Sequence, residues 1–236
     1  MKRRWKVVLF DLDDTLLHFD DYWQDSMLET FRQHPSTAGR DPGPLFEQLC
    51  RFNEHYVSLY HNQAITLRQF RNERVIETLR SFAIAMDEAE ADRFNELHNA
   101  ISRSFMRANP ALLGQLTAWR RSYALGIVTN GTASWQQDKI RALGIEPLFP
   151  ASCVVVSEDA GCEKPDPEIY RRALACFGVS PEEALFVGDS WKNDVQGPMK
   201  AGMQAVWYNR LGEALPEGEH EPYAVISRLD ELDAIL

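Results

Sequence analysis

Four apolar residues, Val7 to Phe10, run without a polar interruption into Asp11, Asp13 and Asp14. A short apolar run of this kind predicts a strand buried on both faces. After Leu17 the rhythm changes. Residues 22–33 are amphipathic, a turn-rich break follows at 35–44, and the segments 45–60, 66–82 and 87–107 each repeat apolar residues at helical spacing, with Asp87 as an N-cap for the last. Residues 18–107 are therefore expected to form a helical bundle, closed by the Asn109-Pro110 step.

From Pro110 onward the pattern alternates. Helix-like "ALLGQLTAWRR" leads to strand-like "YALGIVTN", and "TASWQQDKIRALG" leads to "CVVVS". "DPEIYRRALACFG" leads to "ALFVGD", and "SWKNDVQGPMKAGM", helical in part and disturbed at Gly197-Pro198, leads to "QAVWYN". "YAVISRLDELDAIL" adds a short strand and a terminal helix. Alternation of this sort predicts an α/β fold: a parallel sheet, Rossmann-like, with helices on both faces. The first strand joins that sheet only if the helical segment is an insertion. The expected organisation is a core of residues 1–17 and 108–236, with an all-helical domain, 18–107, inserted after the first strand.

Composition narrows the function classes. The 236 residues are 44% hydrophobic and 25% charged, as in an ordinary globular protein, and carry a net charge of −10. That charge argues against a nucleic acid polymer as partner but not against a small anion, since a bound cation inverts the local field. No apolar run reaches the length of a membrane span, and the basic opening "MKRRWKVVLFD" has too short an apolar part for a signal peptide. Cys50, Cys153, Cys162 and Cys176 form no CxxC pair or zinc spacing, so free thiols in a reducing cytoplasm are expected, with a Cys153–Cys162 disulfide as the minor alternative.

The candidate chemistry stands at the strand ends, where open parallel sheets bind ligands. The first strand delivers Asp11, Asp13, Asp14 and Thr15. The second delivers Thr129, Asn130 and Gly131. The loop after the third carries Lys164, and the fourth delivers Gly188, Asp189 and, further on, Asp194. Crowded carboxylates repel one another and resist desolvation unless a hard cation sits among them. The Asn130-Gly131-Thr132 turn opens a helix whose backbone N–H groups suit an anion. Asp11 and Asp13, two residues apart on an extended segment, point the same way. Asp14 is assigned no chemistry; it faces solvent or caps a turn. Thr15 is expected to bond backbone near Asp11.

"DLDDT", "VTNG", "KPDP" and "GDSWKND" resemble, in order and spacing, the four motifs of the haloacid dehalogenase-like hydrolase superfamily, and the helical insert resembles the C1-type cap of its subfamily I. The resemblance implies a magnesium-dependent phosphatase. Asp11 would be the nucleophile that becomes an aspartyl-phosphate, and Asp13 the acid and then the base. Asp11, the Asp13 backbone carbonyl and Asp189 would hold Mg2+. Thr129 and the backbone N–H groups at Asn130 and Gly131 would bind phosphoryl oxygens. Lys164 would orient Asp11, and Asp194 would support the metal site or Lys164.

The implied substrate is a small phosphorylated metabolite. A further likeness to the bacterial 5'-nucleotidase branch, in "FDLDDTLLHFD" and "YHNQAITLRQF", points to a nucleoside 5'-monophosphate. Phe19, Tyr22 or Trp23, on the stretch that follows the catalytic loop and is expected to roof the site, would stack on a flat base. The other selectivity element is the His61-Asn62-Gln63 turn, where Asn62 or Gln63 would hydrogen-bond the base's edge. Three alternatives stand beside this reading: a 2-haloacid dehalogenase, a phosphomutase and a non-enzymatic binding module. Asp13 counts against the first, and the full motif set against the last.

Overall fold

A computed structural model describes residues 5–62, 64–107, 109–216 and 220–236. The chain forms two compact units, residues 1–19 with 107–236, and residues 20–106. The larger unit is built on a six-stranded sheet in which every pairing is parallel. Its strands are β1 (Val7–Phe10), β2 (Ala124–Thr129), β3 (Val154–Val156), β4 (Ala184–Gly188), β5 (Gln204–Tyr208) and β6 (Ala224–Ile226). Their order across the sheet is β3-β2-β1-β4-β5-β6. β1 lies in the middle because "VVLF" has no polar residue to show to solvent, and all four of its side chains are buried. β4, "ALFVG", is buried throughout for the same reason. The strand order reverses between β1 and β4, which makes their carboxyl ends the crevice of an open α/β sheet.

The smaller unit is all helical: α1 (Trp23–Gln33), α2 (Pro42–His61), α3 (Leu67–Ser81) and α4 (Glu88–Phe105). α2 starts earlier than its apolar period suggests. Asp41 caps it by accepting the Gly43 N–H at 3.0 Å, and Pro42 and Pro44 stand in the first turn, where the missing N–H costs nothing. Thr66 with Gln69 and Asp87 with Glu90 form capping boxes on α3 and α4. Tyr22 and Trp23 are buried, and the Trp23 ring packs on Phe46 with centroids 5.0 Å apart. That burial leaves only Phe19 of the three expected stacking rings partly open to solvent. Gln63 lies outside the described residues.

The core helices are α5 (Pro110–Arg120), α6 (Ala133–Ala142), α7 (Ser157–Ala160), α8 (Pro167–Phe177) and α9 (Gly197–Lys200). α9 is preceded by a π-helical turn, Trp191–Gln196, where the sequence suggested a disturbed helix. Wide turns of this kind concentrate at functional sites. The terminal segment Leu229–Ala234 is a 3-10 helix. All four cysteines are free. Among the described residues, no helix is long and apolar enough to cross a membrane.

Candidate active site

The Asp11 N–H donates to the Val187 carbonyl at 3.0 Å, which carries the β1–β4 ladder one residue past the strand. The carboxylate thereby stands at the sheet's carboxyl end, only 8% exposed. Lys164 is also buried, and its Nζ lies 2.7 Å from Asp11 Oδ1 and 2.7 Å from Asp194 Oδ1. Burial opposes the charge on Lys164, but Asp11 and Asp194 outweigh it and hold the ammonium more firmly protonated than an ordinary lysine.

Asp194 is fully buried on the π-turn. Its second oxygen, Oδ2, accepts the Ser190 N–H at 2.9 Å. This approach is possible because residue 188 has no side chain: a Cβ on Gly188 would stand 2.5 Å from the Asp194 Cβ and Cγ. Asp189 is half-buried, and the Thr15 hydroxyl donates to its Oδ1 at 3.1 Å. Thr15 thus serves a carboxylate at the end of β4 rather than backbone near Asp11.

Asp11, Asp189 and Asp194 each present an oxygen within 4.8 Å of the others. One lysine cannot balance three carboxylates. Burial pushes Asp189 up to about 7, and the charges of Asp194 and Asp14 add to that, against the Thr15 hydrogen bond and Lys164. Burial likewise raises Asp11 well above the usual carboxylate range; Lys164 opposes the rise, while Asp194 and Asp189 add to it. Hard oxygen donors with uncompensated negative charge are the donor set of a hard divalent cation, so the residues present fit one. Both Asp194 oxygens are already engaged, so Asp11 and Asp189 are the carboxylates suited to direct ligation.

Asp13 points to a different set of partners. Its Oδ1 lies 2.5 Å from Lys139 Nζ, and its Oδ2 accepts from Gln136 Nε2 at 2.9 Å. The same Gln136 Nε2 contacts the buried Thr129 Oγ1 at 2.6 Å and the Asn130 carbonyl at 3.1 Å. Asp14 adopts φ +54° and accepts the Phe19 N–H at 2.9 Å, so it holds the turn that follows β1.

The expected anion-binding turn is occupied in part by the protein itself. The Asn130 side chain brackets Lys164, accepting its N–H at 2.8 Å and donating to its carbonyl at 3.0 Å. The Gly131 N–H donates to Ser157 Oγ at 2.9 Å, and the Ala133 N–H to Glu158 Oε2 at 2.8 Å. Gly131 has φ +144°, and a Cβ there would stand 3.2 Å from the Gln136 amide. The structure thus gives the Asn130 side chain and the Gly131 N–H local bracing contacts. Gln136, Lys139 and Ser157 are site-lining residues that the strand-end pattern did not reveal. The available signal was the i,i+3 spacing of Gln136 and Lys139 on the helix after β2, which places both on one face.

Comparison with known proteins decides the family. The model of the haloacid dehalogenase-like hydrolases matches residues 5–202. The chain belongs to that family. Among curated relatives of this hydrolase, a phosphoserine phosphatase of Thermus thermophilus is 40% identical over 229 residues, covering 87% of this chain and 89% of its own. The pyrimidine 5'-nucleotidase YjjG of Escherichia coli is 28% identical, covering 99% and 98%. The HAD-hydrolase YfnB of Bacillus subtilis shares the fold with a TM-score of 0.83 at 24% identity, covering 99% of each chain.

Proposed function

We propose that this hydrolase is a Mg2+-dependent phosphomonoesterase that acts on a small metabolite through an aspartyl-phosphate on Asp11. The observation that carries the reading is the contact of the Asp11 carboxylate with Lys164 Nζ at 2.7 Å, in a carboxylate cluster that suits a divalent cation. Asp11 Oδ attacks phosphorus, the bond from phosphorus to the ester oxygen breaks, and Asp13 delivers a proton to the departing oxygen. Asp13 then takes a proton from water as that water attacks the phosphorus of the aspartyl-phosphate. Inorganic phosphate leaves and the Asp11 carboxylate is regenerated.

Asp11, the Asp13 carbonyl and Asp189 would hold the cation, with Asp194 fixing Lys164. When bound, the cation would neutralise charge on the phosphoryl oxygens and on the carboxylates themselves. Thr129 and the backbone N–H of Asn130 would donate to phosphoryl oxygens. Phosphate monoesters resist hydrolysis so strongly that catalysts face demands of up to ~10²¹-fold. A covalent intermediate, with charge spread over fixed donors, divides that barrier into two smaller ones.

A 2-haloacid dehalogenase would use the same carboxylate against carbon, but a halide leaving group needs no proton donor such as Asp13. A 2-haloacid dehalogenase of Pseudomonas syringae does share the fold, with a TM-score of 0.64 at 27% identity. The relatives' names span phosphoserine, glyceraldehyde 3-phosphate and pyrimidine 5'-nucleotides. The proposed substrate class for this chain is accordingly a small phosphomonoester, nucleoside 5'-monophosphates included.

The test is a panel of phosphorylated metabolites, phosphoserine and pyrimidine nucleotides among them, assayed with Mg2+ for free phosphate. Release from at least one, abolished by chelator and restored by Mg2+, is expected. Isomerised phosphate ester without free phosphate would replace the reading with a mutase.

A further inference from the structure

We propose that Gln136 and Lys139, one turn apart on α6, are positioning residues that hold Asp13 and Thr129 in working orientation. The inference rests on the phosphomonoesterase reading above. The Asp13 side chain is 40% exposed, so its carboxylate is only partly enclosed by packing. Lys139 supplies what packing does not. Its own side chain is only 6% exposed, and its Nζ lies 2.5 Å from Asp13 Oδ1. Gln136, 1% exposed, takes the other oxygen at 2.9 Å. Two donors from one rigid helix therefore set both the tilt and the rotation of the Asp13 carboxylate.

Gln136 does a second thing with the same amide nitrogen. Its neighbours there are a carboxylate oxygen, a carbonyl oxygen and the Thr129 hydroxyl. Two of these can only accept, so the amide must present its NH2 to them. The two amide hydrogens are shared among three neighbours, and because the amide nitrogen accepts nothing, the Thr129 hydroxyl, 2.6 Å away, directs no proton at it. Its own proton is left to point elsewhere, and among the described residues its other bond is a long one of 3.5 Å to the Asn130 carbonyl. A hydroxyl whose proton is turned away in this manner is a ready donor to a phosphoryl oxygen. Among the described residues, the buried Gln136 Oε1 has no hydrogen-bond partner. A buried, unsatisfied acceptor is costly, and the alternative amide orientation would set an oxygen against Asp13. Gly131, with no Cβ, leaves room for the amide.

The test is steady-state kinetics with Mg2+ on p-nitrophenyl phosphate and on an alkyl ester, glycerol phosphate, for wild type, Lys139→Met, Lys139→Arg and Gln136→Leu. Lys139→Met should lower kcat/KM on the alkyl ester by up to ~10²-fold, the scale of a misplaced reacting group. It should lower kcat/KM much less on the nitrophenyl ester, whose leaving group needs little protonation; kcat/KM ends at departure of the leaving group, so the shared hydrolysis of the aspartyl-phosphate does not enter it. Lys139→Arg, which keeps the charge and the donors, should recover the alkyl activity. Gln136→Leu should raise KM on both esters and weaken inhibition by inorganic phosphate, because the Thr129 hydroxyl loses its orientation.

Equal losses of kcat/KM on both esters in Lys139→Met, or no recovery in Lys139→Arg, would overturn the inference. If Lys139→Met fails to fold, Gln136→Leu decides: an unchanged KM and phosphate inhibition overturn the inference, and the shifts described support it. Wild type that releases no phosphate from these esters or from any member of the metabolite panel would overturn the phosphatase reading, and this inference with it.

Discussion

Asn130 and Lys164 are tied by two hydrogen bonds in opposite directions: the Asn130 carboxamide oxygen accepts the Lys164 N–H at 2.8 Å, and its nitrogen donates to the Lys164 carbonyl at 3.0 Å. The end of β2 thereby fixes the backbone that carries the lysine facing Asp11. Sequence reading placed Asn130 among the phosphate-binding residues through its backbone N–H; its side chain braces the loop. Asn130→Ala leaves a backbone donor and acceptor unpaired, at about 1–3 kcal/mol for each group that stays dry. Thermal unfolding should shift downward, and turnover should fall because Lys164 loses its place 2.7 Å from Asp11. Unchanged melting and unchanged turnover would remove the brace from the account.

Asp13 and Asp14 are neighbours with separate tasks. Asp13→Ala should cut kcat/KM on an alkyl phosphate by ~10²- to 10⁴-fold, the usual worth of acid–base catalysis, and should cut kcat/KM on p-nitrophenyl phosphate less. Asp14 sits at φ +54° and accepts the Phe19 N–H. Asp14→Asn keeps the acceptor and tolerates that backbone, so melting and turnover should hold. Asp14→Val should destabilise by about 1–2 kcal/mol, the strain of a left-handed residue with a branched side chain, while kcat on the folded fraction survives. Rate measurements alongside urea unfolding separate the two effects. A larger loss of kcat/KM in Asp14→Asn than in Asp13→Ala would reverse the assignment.

His98 gives the helical unit an acid sensitivity. Its Nε2 lies 3.2 Å from Ser26 Oγ and 3.1 Å from Ser102 Oγ, and burial, reinforced by Arg74 and Arg71, pushes its pKa down to about 3 from 6.5. The folded pKa is depressed, so the unfolded chain binds the proton first. Stability is intact above about pH 6.5 and falls as pH drops toward 3. Within that window the slope from this one group is ~1.4 kcal/mol per pH unit. The advantage of wild type over His98→Gln in urea unfolding should shrink as pH goes from 7 to 5. A constant difference across that range would show that His98 does not titrate between the two states.

Much of the fold was readable because its strands are apolar on both faces: "VVLF" and "ALFVG" cannot be anything but interior in a chain of this polarity. The inserted helices were readable from their period, and Asp87 from its capping position. The π-turn over Trp191–Gln196 was not, because it depends on how the hydrogen bonds slip ahead of Pro198 rather than on any residue pattern. In the site, the meeting of Asp11, Lys164 and Asp194 follows from strand-end placement. The contacts of Gln136 and Lys139 with Asp13 do not. On a polar helix such a pair reads as a solvated face, and only the folded distance shows that both are buried against a carboxylate.

The central claim is that Asp11 carries the phosphoryl group during turnover. Enzyme mixed with Mg2+ and a phosphomonoester it hydrolyses can be quenched during turnover, treated with borohydride and digested with trypsin. An acyl phosphate is reduced to an alcohol, so peptide mass spectrometry should find homoserine at position 11, dependent on substrate and absent from Asp11→Asn, which should also be inactive. Turnover with no reduced residue at position 11, or with the reduced residue elsewhere, would contradict the account.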